Sequence, residues 1–282
     1  MTLPHFLEYT KPLSRIGQGS WYIDTVPDQD AVVRALQTGI DLGLTHIDTA
    51  EMYGDGAAEE VIARVIRGRR DEVFLVSKVL PFNASYQQVL NACDASLQRL
   101  GTDYLDSYLL HWRGAVPLSE TVQAFEHLQQ VGKIRTWGVS NFDVADLQEL
   151  YALVGPNQIA CNQVLYHLEE RTIEHEILPW CVQHDVKVVA YSPFGHDSFV
   201  LEGSPEWEVL AQIAQRHEAS VRQVALAFLC RHPQVLAIPK ASRAAHTLDN
   251  ASALDLHLST EELAQIDAAF PLQPHPGYLP MI

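Results

Sequence analysis

The feature that most constrains this chain is a rhythm of short runs that are apolar without alternating. They fall at Thr45–Asp48, Val73–Ser77, Ser107–His111, Thr136–Ser140, Ile159–Gln163, Lys187–Ser192 and Val235–Pro239, with a shorter eighth at Arg15–Gly19. Continuous apolarity is what parallel strands covered on both faces require. Their starts lie mostly about 23 to 35 residues apart, close to the roughly 30 of a βα unit.

Segments of helical period fill the intervals. Asp30–Leu42 places Val33, Leu36 and Ile40 on one face. Ala57–Ile66 carries Glu59 and Glu60 in its first turn, where the helix dipole favours them. Tyr86–Leu100 stops at Gly101, and Ser119–Val131 opens on Ser119 as an N-cap. Further helices are read at Val144–Leu153, Ile173–His184, Trp207–Arg216, Val221–Arg231, Ala244–Ala251 and Ser259–Ala269. Unbroken alternation without a shift in composition predicts one α/β domain over residues 1–282, a (β/α)8 TIM barrel with extra C-terminal helices. Phe6–Tyr9 and Leu13–Ile16 are expected to form an N-terminal hairpin plugging the barrel's bottom. The Pro-rich tail from Pro271 is expected to be irregular and to leave the pocket open.

Composition narrows the partners. A 47% hydrophobic fraction suits a folded core. With 19 Lys+Arg against 35 Asp+Glu, the formal charge of −16 repels phosphate backbones, so nucleic acid is not an expected partner. An anionic cofactor would need a local basic cluster. Cys93, Cys161, Cys181 and Cys230 form no CxxC pair and read as buried thiols in a reducing compartment. No secretory signal and no apolar run of about 20 residues is seen. A cytoplasmic protein, more readily a monomer than an oligomer, is expected. The histidines show no ligand spacing, and no metal is expected.

In such barrels the C-terminal strand ends face the site of chemistry. Asp48 ends the second strand, with Tyr53 in the loop behind it; Lys78 ends the third and His111 the fourth. A free tyrosine, with a pKa of about 10, is a reluctant acid at neutral pH. A lysine cation beside it favours the phenolate and lowers that pKa, and Asp48 would keep the lysine charged. His111 would orient a carbonyl oxygen. The set suits proton donation to an oxygen gaining negative charge, and lacks only a hydride donor.

Ile47-Asp48-Thr49-Ala50 with Tyr53-Gly54, then Ser77-Lys78 and Leu110-His111-Trp112, resemble the catalytic signatures of the aldo-keto reductase superfamily. Gly138–Asn141, Asn162-Gln163 and Ile238–Lys240 match its later motifs in order, and the wording of Ile47–Tyr53, Ala160–Leu168 and Leu178–Ser192 is similar to bacterial methylglyoxal reductase-type members. The resemblance implies NADPH-dependent reduction of small aldehydes or ketones, with Tyr53 as general acid beside Asp48, Lys78 and His111. It implies that Ser140, Asn141 and Gln163 hold the nicotinamide carboxamide and that Tyr191 stacks on its ring. Ser192, Pro193 and Gly195 would follow the pyrophosphate, with Gly19, Ser20 and Asp48 close to the cofactor. Ile238, Lys240, Ser242, Arg243, His246 and Asn250 match the adenosine 2′-phosphate region. Trp21, Phe82 and Trp112 are expected to wall the substrate pocket.

Some positions depart from the family pattern. Ser20 stands where threonine is common, Phe194 where leucine is usual, and His246 where many NADPH-dependent members carry arginine. His246 leaves use of NADH open and is expected to add positive charge as pH falls. Two other functions fit a barrel of this kind: a cofactor-bound accessory subunit with little turnover, and an isomerase. The lack of a long N-terminal extension argues against the first, and the Tyr53, Lys78, His111 and Tyr191 set against the second.

Overall fold

The computed structural model describes residues 13–196 and 199–282. Eight parallel strands follow one another in order: β1 Gln18–Gly19, β2 His46–Asp48, β3 Phe74–Val79, β4 Leu105–Leu110, β5 Ile134–Ser140, β6 Cys161–Leu165, β7 Lys187–Tyr191 and β8 Val235–Ala237. The sheet closes on itself where Ile16 bridges Ala237 and Gly19 bridges Lys240, both in parallel. That seam needs the glycine, because a Cβ on Gly19 would stand 2.7 Å from the Ile238 carbonyl oxygen. The result is the (β/α)8 barrel. The first arm of the expected hairpin, Phe6–Tyr9, lies outside the described residues; in the second arm, Ile16 joins the barrel seam.

Helices α1 Gln29–Asp41, α2 Ala57–Ile66, α3 Tyr86–Leu100, α4 Leu118–Gln130, α5 Val144–Val154 and α6 Ile177–Gln183 alternate with the strands. Two helices, α7 Pro205–Arg216 and α8 Val221–Leu229, separate β7 from β8, and α9 Ala244–Ser252 and α10 Thr260–Ala269 follow. Side chains at the helix starts satisfy amides left without intrahelical partners. Asp28 caps α1 and Asp143 caps α5, while Ser220 with Gln223 and Ser259 with Glu262 form reciprocal capping boxes. The α4 start differs from expectation. Pro117 precedes its first residue, Ser119 lies inside the first turn and makes no cap bond, and Pro117 supplies the fixed φ instead.

The continuous helix expected over Ile173–His184 is split into a 3₁₀ turn at Thr172–Glu174 and α6. Pro179 explains the break: without an N–H it is tolerated in a first helical turn, not in a helix interior. Inside the barrel, Phe74, Val76, Leu109, Ala160, Cys161, Val189, Leu236 and Ile238 form one apolar cluster. A larger core lies between the strands and the helix ring. Among the described residues no helix is long and apolar enough to cross a membrane.

Candidate active site

The four polar residues at the ends of β2, β3 and β4 meet. Lys78, with no exposed surface, points into the barrel and donates to Asp48 Oδ1 at 2.5 Å, to the Thr49 carbonyl at 2.9 Å and to the Tyr53 oxygen at 3.0 Å. The second oxygen of Asp48 accepts from the Gln163 amide at 2.8 Å. The His111 ring stands edge-on to Tyr53, centroids 5.8 Å apart. Tyr53 is presented by a tight turn in which Gly54, Asp55 and Gly56 all take positive φ (58°, 51° and 94°). Two of the three are glycine, which reaches that region without steric cost.

Electrostatics in this cluster follow from burial. Burial raises the Tyr53 pKa above the ordinary phenol value, and the nearby Lys78 lowers it by less. The expected lowering by lysine is therefore present but outweighed, and the phenol keeps its proton at neutral pH. Burial also opposes the charge on Lys78, yet Asp48 and Tyr53 together hold its pKa above the usual ammonium value. Burial, then Lys78, push His111 down to about 2, so its imidazole is neutral.

These groups open onto a cavity of about 520 Å³. Its lining includes Gly19, Ser20, Asp48, Tyr53 and His111 from the first half of the barrel, and Ser140, Asn141, Gln163, Tyr191, Ser192, Pro193, Gly195, Ile238 and Lys240 from the second. Polar contacts fix several of them. Ser140 donates to the Gln163 carbonyl at 2.8 Å, and the Tyr191 hydroxyl donates to Asn141 Oδ1 at 2.9 Å. The Asn141 amide reaches the His111 carbonyl at 3.2 Å. Ser20 is fully buried, and its hydroxyl has no partner.

Trp21 and Trp112 line the cavity, as expected. Phe82 does not: it sits on a 3₁₀ turn at Pro81–Asn83, is 66% exposed, and touches Trp112 edge-on from outside. Ser242, Arg243, His246 and Asn250 also lie off the cavity, beyond Lys240 on the approach to α9 and within it. Arg243 and His246 are joined there, Nη2 to Nε2 at 2.7 Å. A guanidinium only donates, so His246 accepts in its neutral form. Burial lowers the His246 pKa, and Arg243, Arg222 and Lys240 outweigh Asp249 in lowering it further. The added charge expected of His246 as pH falls is thus displaced to lower pH.

Several lining residues were not read from the sequence: Tyr22, Met52, His196, Met281 and Ile282. His196 stacks on Trp21 at 5.1 Å, bridging the loops after β7 and β1. The tail, expected only to leave the pocket open, forms part of the wall with its last two residues. Pro271, Pro274, Pro276 and Pro280 favour an extended path, which carries a short segment that far. Nothing local in Met281-Ile282 signals the destination. Among the described residues no group of three or more His, Cys, Asp or Glu is placed to hold a metal.

A part-apolar cavity with convergent polar groups at the C-terminal mouth of a barrel defines the class, a barrel enzyme for a small organic molecule. More narrowly, the chain belongs to the aldo/keto reductase family, whose model matches residues 15–270. It is 52% identical over 260 residues to methylglyoxal reductase YeaE of Escherichia coli, covering 92% of each chain. It is 34% identical to glyoxal reductase of Bacillus subtilis, covering 94% of each. An aldo/keto reductase from Klebsiella pneumoniae, solved in complex with NADP and acetate, superposes with a TM-score of 0.93 at 48% identity, covering 100% of this chain and 99% of that one.

Proposed function

We propose that the protein reduces small aldehydes and ketones of the methylglyoxal type with NADPH, and that Tyr53 donates the proton. The observation that carries this reading is the Tyr53 hydroxyl, 3.0 Å from the Lys78 ammonium on the cavity wall. Residues of the cavity fit the cofactor. Ser20 offers a buried hydroxyl without a partner, and Lys240 makes no ion pair among the described residues despite the acidic surface. NADPH, when bound, supplies the hydride.

The chain's own groups do the rest. Burial keeps Tyr53 protonated, so it holds a proton for the carbonyl oxygen. Lys78 offsets the charge left on the phenol as that proton departs, and Asp48 keeps Lys78 cationic and in place. Neutral His111 orients the carbonyl toward Tyr53. Ser140, Asn141 and Gln163 offer hydrogen-bonding groups for a carboxamide, and Tyr191 an aromatic face. Ser192, Pro193 and Gly195 flank the pyrophosphate path, with Lys240, Ser242 and Arg243 toward the 2′-phosphate. The names of the Escherichia coli and Bacillus subtilis relatives support dicarbonyl substrates, and the ligand of the Klebsiella pneumoniae structure supports NADP. The four cysteines are buried and unpaired, which suits a reducing cytoplasm, and we place the reaction there.

NADPH oxidation with methylglyoxal tests the reading. Tyr53→Phe should lower kcat by about 10²-fold or more, the usual scale of general acid catalysis, with NADPH affinity preserved. Retention of more than about a tenth of the wild-type rate removes Tyr53 from the role.

A further inference from the structure

Arg222 is the second residue of α8, a position that in sequence reads as a solvated helix face. Its surroundings are more specific. On either side of it, Ser220 and Gln223 bind Asp249 of α9, at 3.0 and 2.7 Å, strapping the first turn of α8 to the helix that carries His246. The guanidinium lies over two aromatic rings of the loop after β7, 5.3 Å from the centre of Phe194 and 4.7 Å from that of Phe199. Phe194 lines the cavity together with Lys240.

Among the described residues, Arg222 makes no ion pair, although 35 acidic residues outnumber the 19 basic ones. Both oxygens of nearby Asp249 are already engaged by Ser220 and Gln223. A contact with aromatic rings uses none of the N–H donors of a guanidinium as an ion pair would, and its fork suits bidentate binding of phosphate. Arg222, with Arg243 and Lys240, also disfavours protonation of His246 in the same direction as burial, so all three cations lie within electrostatic reach of that side chain.

Building on the NADPH reading above, we propose that Arg222 is a specificity residue for the adenosine 2′-phosphate. It acts from α8, whereas Arg243 stands at the start of α9, the helix that carries His246. Because the same guanidinium lies over Phe194 and Phe199, the bound phosphate and the loop after β7 share one anchor.

Calorimetric binding of 2′,5′-ADP and 5′-AMP, and of NADP⁺ and NAD⁺, to the whole protein tests this without turnover. Arg222→Ala should weaken 2′,5′-ADP and NADP⁺ by about tenfold or more, the scale of a charge-assisted bond, and leave 5′-AMP and NAD⁺ nearly unchanged. Arg222→Lys keeps the charge without the fork and should fall between. Equal losses for both members of each pair, or no loss, would overturn the proposal. Lys240→Ala separates the two readings. If wild type binds 2′,5′-ADP, and Lys240→Ala weakens it while Arg222→Ala does not, NADPH stands and Arg222 fails. If wild type shows no preference for 2′,5′-ADP over 5′-AMP, the NADPH reading itself fails.

Discussion

The Gln163 amide donates to Oδ2 of Asp48 at 2.8 Å, joining β6 to β2 through the barrel interior. Lys78 takes the other oxygen, so a buried carboxylate has both acceptors filled and one cation beside it. Removing one member of such a pair strands the other charge, at about 3–5 kcal/mol.

Asp48→Asn and Lys78→Met should each destabilise the fold by an amount of that order in urea unfolding. The double variant should lose clearly less than the two added together, because no charge is stranded in it. Strict additivity would show that the two residues do not share one interaction.

Lys78 should also set the alkaline limb of the rate. With Tyr53 as the proposed proton donor, reduction needs it protonated, and kcat should fall as pH rises through the Tyr53 pKa. Lys78 lowers that pKa against the larger effect of burial. Lys78→Met should therefore reduce kcat at neutral pH and move the alkaline limb to higher pH. A normal rate with an unmoved limb contradicts the pairing of Lys78 with Tyr53.

His111 is expected to affect orientation more than cofactor binding. Misplacing reacting atoms by about 1 Å costs on the order of 10²-fold. His111→Ala should lose roughly that factor in kcat/KM for methylglyoxal, with NADPH affinity changed far less. Comparable losses in both would assign His111 to the architecture of the rim, where its backbone carbonyl already receives Asn141.

What the sequence made legible was local. α2 and α3 have the bounds their patterns predict, Ala57–Ile66 and Tyr86–Leu100, because the second ends on a left-handed Gly101 and the first follows a left-handed Gly56. Asp48, Tyr53, Lys78 and His111 could be grouped because each sits at or just past a strand end, and parallel strands of one barrel bring those ends together. Phe82, Arg222, Met281 and Ile282 were not legible in this way. Phe82 turns outward on a 3₁₀ turn that no periodicity marks. Arg222 and the tail acquire their surroundings only through contacts between segments distant in sequence, with Phe194 for one and Tyr191 for the other.

His46 offers a test of the barrel's interior. It is buried beneath Asp48, edge-on to Phe74 at 5.7 Å, and its Nδ1 has no partner. Burial pushes its pKa down to about 4, against 6.5 when exposed. Between those values the unfolded chain binds a proton that the folded protein refuses, so stability must fall as pH drops through 6.5 toward 4. One such histidine contributes about 1.4 kcal/mol per pH unit to that slope, and on the order of 3 kcal/mol over the full window. His111 slopes the same way, so His46→Gln should flatten the acid limb without abolishing it. The window from pH 6 down to about 4.5 is the informative one, since below it Glu174, held at about 2 by Arg171, Tyr166 and Arg231 against the opposing effect of burial, begins to contribute as well. Urea unfolding at several pH values across that window measures the slope. A variant as steep as wild type would mean that His46 takes up its proton in the folded barrel.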